Sequence, residues 1–92
     1  MNAVVSLRAQ SSPHDELQPA LRDCVARAVS RYLEDIGEGH TRDLYRLVID
    51  EVEAPMLAAV LSHYDGNQSR AAQALGLSRA TLRKKLRHFH IL

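Results

Sequence analysis

Apolar residues recur at intervals of three and four through the middle of the chain. Leu21, Val25, Ala28, Val29, Tyr32, Leu33 and Ile36 form one such series, which puts them on a single stripe of a helix ending near Gly37. Arg22, Arg27, Arg31, Glu34 and Asp35 fall largely off that stripe. After the connector Gly37-Glu38-Gly39-His40 a second series begins: Leu44, Val48, Val52, Met56, Val60 and Tyr64 step by four, with Leu57 and Leu61 beside them and Leu47 and Ile49 flanking. The spacing predicts a long helix running to about Tyr64, with Thr41 as its N-cap and Asp43 in its first turn.

At about 1.5 Å per residue this second helix spans about 33 Å, more than the short helices of so small a chain can cover. The uncovered length of a wide apolar stripe predicts a second copy of the chain as partner. Pro55 stands mid-helix without an amide hydrogen, so the carbonyl of Glu51 loses its donor and a kink is expected in the turn Glu51 to Ala54.

Residues 1–20 show no sustained helical period, contain Ser11, Ser12, Pro13 and Pro19, and read as a flexible segment or short arm. The run Ala3-Val4-Val5-Ser6-Leu7 has strand character, although Asp15 and Glu16 make a poor partner for it.

The pattern changes again after Tyr64-Asp65-Gly66. Asn67 is a good N-cap for a short helix, Gln68 to Leu75, that buries Ala71, Ala72 and Leu75 and ends at Gly76. Ser78 caps a last helix whose apolar residues Leu82, Leu86 and Phe89 lie within about 60° of one another. On the same wheel Arg83, Lys84, Arg87 and His88 face away from the apolar stripe, and Arg79 and Lys85 sit on its shoulders. Two short helices joined by a turn, the second cationic and exposed, make a helix-turn-helix, whose second helix can enter the DNA major groove.

Charge sharpens that picture. The formal net charge is only +1, yet residues 66–92 hold Arg70, Arg79, Arg83, Lys84, Lys85 and Arg87 and no carboxylate, while residues 1–65 are acidic on balance. A segregated cationic end attracts a polyanion, and a carboxylate on it would be repelled by phosphate. Composition adds that 46% of residues are hydrophobic with few aromatics, which suits an all-α protein, and that the lone Cys24 cannot close an internal disulfide, which fits a reducing, cytoplasmic compartment. No stretch reaches the roughly 20 apolar residues of a membrane span, and the start MNAVVSLRAQ has no full signal core. His14, His40 and His63 are scattered and His88 and His90 point in different directions, so no metal site is expected. Cys24 reads as a packed helix residue. Without a glycine-rich phosphate loop, paired acids or a Ser/His/Asp set, neither an enzyme nor a cofactor is expected.

The run EVEAPMLAAVLSHYDGNQSRAAQALGLSRATLRKKL, residues 51–86, resembles the Fis (factor for inversion stimulation) family of bacterial nucleoid DNA-bending proteins. Its most specific pieces are GNQSRAA, LG and TLRKKL in fixed order, and looser matches in LRDCVARAVSRYLEDI and DLYRLVIDEVE extend it over about residues 21–89. A similar ending closes the larger nitrogen-regulator-type activators, whose receiver and ATPase domains have no room in a chain of 92 residues that starts at a methionine.

The resemblance implies a four-helix subunit with a C-terminal helix-turn-helix in an intertwined homodimer. Residues 1–20 would be the arm, 21–65 the dimerisation helices and 66–92 the DNA-binding unit. The two recognition helices of such a dimer lie closer than one turn of straight DNA, so double-stranded DNA must bend. Read through phosphates and shape more than through bases, it would be bound in the nucleoid, with transcription regulated as a consequence. Carried over by residue, Asn67, Gln68 and Ser69 match backbone contacts, and Arg79, Thr81, Arg83, Lys84 and Lys85 match contacts of the recognition helix. We assign Arg79 and Arg83 to guanine edges, and Thr81, Lys84 and Lys85 to phosphates, with Arg87 on the same face. Ser78 replaces a family asparagine, and His88 stands near a usual lysine. Residues 1–20 match the family's invertase-touching β-hairpin arm poorly, so an invertase partner is not carried over. A contact with RNA polymerase would fall in the turn Asp65 to Gln68, where Asp65 replaces a basic residue. A module whose wide apolar helix docks another protein is the alternative from a different class, separable by its lack of salt-dependent duplex binding.

Overall fold

The computed structural model describes residues 13–36 and 42–92, with side chains from Leu17 onward in the first segment. The expectations for Ala3 to Leu7, for the connector Gly37 to His40 and for Thr41 lie outside the described residues. Those that are described form four α-helices and no strand: α1 Pro13–Ile36, α2 Leu44–His63, α3 Gln68–Leu75 and α4 Arg79–His88. The chain is all-α, and α3, its turn and α4 are a helix-turn-helix. It divides into two units, one holding α1 and the other residues Arg42–Leu92.

Within the first unit, α1 starts eight residues before the expected Leu21 and carries Pro19 inside it. Pro13 opens the helix at a position where the missing N–H has no intrahelical partner in any case, and its fixed φ suits a first turn. Pro19 removes a single hydrogen bond, the one the carbonyl of residue 15 would accept. Leu17, Gln18, Ala20, Leu21 and Arg22 around it are good helix formers and carry the helix past that loss. Leu17, Leu21, Tyr32 and Leu33 are exposed in the single chain, and only Val25, Val29 and Ile36 of the stripe are half-buried.

In the second unit α2 begins at Leu44. Asp43, expected in the first turn, is instead the N-cap, with φ 58° and no side-chain capping bond. Its carbonyl still accepts the amide of Leu47 at 2.9 Å. From there α2 continues through Pro55 to His63.

The three helices of this unit end by one device. After α2 the amide of Gly66 reaches back to the carbonyl of Leu61; after α3 Leu77 does so to Ala72; after α4 Ile91 does so to Leu86, at 2.9, 2.9 and 2.8 Å. The residue before each donor is left-handed: Asp65 at φ 54°, Gly76 at 74° and His90 at 58°. This is the Schellman closure, which satisfies carbonyls a helix end would otherwise leave bare. Glycine adopts that conformation without cost, whereas Asp65 and His90 hold it against the clash of their Cβ.

The core of the unit is Leu57 from α2, Ala71 and Ala72 from α3, and Leu82 and Leu86 from α4, ringed by Val60, Leu61, Tyr64, Leu75, Phe89 and Ile91. The two alanines present little bulk, so α2 and α4 approach α3 closely. Only the C-terminal half of α2 is covered in this way. Leu47, Ile49 and Met56 remain exposed, as does Tyr45 at 81%.

Candidate nucleic-acid interface

Two caps aim the short helices. Asn67, in an extended conformation, accepts the amide of Arg70 on Oδ1 at 3.1 Å and so fixes the start of α3. Ser78 does the same for α4: its Oγ accepts the amide of Thr81 at 3.1 Å and donates to Thr81 Oγ1 at 2.9 Å. Both caps match the expectation from sequence.

With Leu82 and Leu86 fully buried, the opposite face of α4 is turned to solvent. Arg79, Thr81, Arg83, Lys84 and Arg87 are all exposed there. Arg79, Arg83 and Arg87 follow one another at intervals of four, which sets a guanidinium about every 6 Å along a row. Thr81 Oγ1, already accepting from Ser78, keeps its own proton to donate. Neither α3 nor α4 has an acidic residue in its first turn. Lys85, Arg87 and His88 occupy the last turn of α4, where cations suit the helix dipole. His88 packs edge-on against Phe89 with ring centroids 4.8 Å apart.

The expected contacts at the start of α3 divide. Asn67 and Ser69 are exposed, as is Arg70, a cation absent from the expected set. Gln68 is half-buried, and its Oε1 is buried without a hydrogen-bond partner among the described residues.

Lys85 differs from the other α4 cations. Its Nζ lies 2.7 Å from Glu53 Oε1, with the two side chains 38% and 19% exposed. Glu53 belongs to α2, and sequence reasoning gave it no role. Periodicity within one helix holds no information about which residue of another helix it will meet.

Residues 48–89 match the family model described as bacterial regulatory protein, Fis family. Over its full length the chain is 48% identical to a protein of Xylella fastidiosa named as a Fis-like DNA-binding protein, and covers all of it. It is 40% identical to the DNA-binding protein Fis of Tolumonas auensis over 95% of this chain and 88% of that one. With the DNA-binding protein Fis of Proteus mirabilis it shares 41% identity over 94% of this chain and 88% of that one. No described helix is long and apolar enough to cross a membrane.

Proposed function

The chain belongs to the Fis family of bacterial regulatory proteins, and from that membership we propose that it binds double-stranded DNA with α4 in the major groove, as a homodimer that bends the duplex and regulates transcription in the nucleoid. The observation that carries this reading is the exposed row Arg79, Arg83 and Arg87 with Lys84, set on a helix whose other face is anchored by the fully buried Leu82 and Leu86. A charge row on a mobile segment would attract DNA without orienting on it; one held by a packed stripe meets the groove in a fixed register.

Each group then has a part. Arg79 and Arg83 can each give two hydrogen bonds to the O6 and N7 of a guanine. Lys84, Arg87 and the free proton of Thr81 serve phosphates, and Asn67, Gln68 and Ser69 at the start of α3 touch the flanking backbone, where Arg70 adds a further cation. Most of the affinity comes from phosphates, so sequence preference arises largely from groove width and from how readily the duplex deforms.

The exposed Leu47, Ile49 and Met56 of α2 supply the surface for a second copy. Pairing two copies sets two α4 helices at a fixed separation, and a separation shorter than one turn bends the duplex that meets both. The proposal assigns no catalytic step and no cofactor to this chain.

A gel-shift titration of a 27-base-pair duplex, a length chosen as about two and a half helical turns, tests the reading. A retarded band that bends more than its length accounts for, seen when the site is moved from the end to the middle of a longer fragment, supports it. Failure of any duplex to shift at low salt defeats it.

A further inference from the structure

Lys85 is a lysine of the DNA-facing helix whose ammonium is turned to another part of the same subunit. Glu53 lies one helical turn before Leu57 on α2, and Lys85 precedes Leu86 on α4; Leu57 and Leu86 are both in the buried core. The 2.7 Å contact therefore sits at the rim of that core, extending it by one turn along α2. α4 packs mainly on α3, and α3 on α2. Among the described residues, the bond from Lys85 to Glu53 is the one side-chain hydrogen bond that joins two helices, and it joins α2 to α4, which lie less closely against each other than either lies against α3.

From this geometry we infer that Glu53 is a positioning residue for DNA recognition: by holding Lys85 it fixes the pose of α4 on α2 and keeps that ammonium out of the phosphate contacts. The inference rests on the DNA-binding reading and takes Lys85 out of the phosphate contacts that the family resemblance implies for it. Phosphates are met by Lys84, Arg87 and Thr81, while Lys85 acts within the subunit. The pair is half-buried, so salt and water screen it less than they would an exposed pair, and its two hydrogen-bonding groups have geometry short enough for a charge-assisted bond. Because α2 also carries the apolar surface assigned to the second copy, the α2–α4 angle sets the separation of the two recognition helices. Glu53 thereby governs which duplex geometry the dimer accepts.

Salt-dependent duplex binding separates this role from a phosphate contact. Each phosphate neutralised contributes about 0.9 to the slope of log affinity against log salt. The variants are Lys85→Gln, Glu53→Gln, Lys85→Glu, and Lys85→Glu combined with Glu53→Lys, each checked for helicity by circular dichroism. The inference predicts that Lys85→Gln weakens binding at every salt concentration without changing the slope. Glu53→Gln should steepen the slope by about 0.9 per subunit, because the released ammonium is free to take a phosphate. Lys85→Glu should lose most binding, and the added Glu53→Lys should restore it, since the pair is re-formed with its charges exchanged.

A Lys85→Gln slope shallower by about 0.9 per subunit, or a charge-exchanged protein that binds no better than Lys85→Glu alone, would overturn the inference and return Lys85 to the phosphates. If Lys85→Gln loses its helicity, the Glu53→Gln slope and the exchange still decide the matter. Absence of duplex binding by the unaltered protein would remove the DNA-binding reading itself, an outcome distinct from both.

Discussion

Ser78 and Thr81 exchange two hydrogen bonds across the first turn of α4, the Thr81 amide donating to Ser78 Oγ at 3.1 Å and Ser78 Oγ donating to Thr81 Oγ1 at 2.9 Å. One serine thus satisfies a bare helix amide and orients the hydroxyl assigned to a phosphate. Ser78→Ala should cost about 0.5–2 kcal/mol of stability in urea unfolding, and Ser78→Asn should recover most of it because asparagine also caps. Thr81 loses its orienting partner in the alanine variant, so duplex affinity should fall as well. An alanine variant as stable as the parent would show that the cap contributes nothing.

Arg83 lies at the centre of the exposed row, between Arg79 and Arg87. Arg83→Ala should cost about 1–3 kcal/mol of specific binding, roughly five- to 150-fold in affinity, with the circular dichroism spectrum unchanged. Lys84→Ala should weaken binding to all duplexes about equally and lower the salt slope by about 0.9 per subunit. Equal losses on preferred and non-preferred duplexes for Arg83→Ala would make it a phosphate contact too.

The local features of the DNA-binding unit were the most legible in the sequence. Asn67, Gly76 and Ser78 act on the turns immediately beside them, so residue type alone located the bounds of α3 and the start of α4. The start of α1 is not legible in the same way, because Pro13 and Pro19 read as breakers in the sequence while the helix begins at the first and runs through the second. A proline in the first turn gives up nothing, and one in the interior gives up a single bond that strong helix formers around it can outweigh. Asp43 was expected within a helix but caps it in a left-handed conformation, a backbone state its neighbours do not announce. The partner of Lys85 was out of reach for a different reason: Glu53 stands 32 residues away, and the meeting depends on how Leu57 and Leu86 pack.

The left-handed residue that closes α4 offers a stabilising change. His90, at φ 58°, is an L-residue where glycine would be free of steric cost. His90→Gly should raise stability by up to about 1 kcal/mol, the relief of the strained backbone being partly offset by the greater freedom glycine has when unfolded. His90→Val should lower it, since a β-branched side chain fits that conformation worst. Thermal unfolding of the three proteins side by side ranks them.

Leu82 is fully buried beneath the cationic face. Leu82→Ala should cost about 2–5 kcal/mol and should abolish binding through loss of the fold, detectable as lost helicity before any DNA is added. Full helicity with binding lost would mean that Leu82 serves the interface in some way other than packing.

The assignment of α2 to a dimer predicts stability that depends on concentration. Sedimentation equilibrium of the unaltered protein should give twice the chain mass of 10.3 kDa, and Leu47→Glu should shift it toward the monomer while α3 and α4 keep their helicity. A chain that sediments as a monomer at every concentration would leave the exposed apolar residues of α2 for another protein.

An oriented row of cations on α4 should bind duplex DNA chiefly through its phosphates. The decisive experiment is fluorescence anisotropy of a labelled duplex with A/T-rich flanks, titrated with this protein at several salt concentrations. Tight binding whose logarithm falls steeply and linearly with the logarithm of salt is the expected result, since every phosphate engaged releases counterions. Binding that fails at low salt, or that does not respond to salt, would contradict the claim and leave a helical module whose partners are proteins.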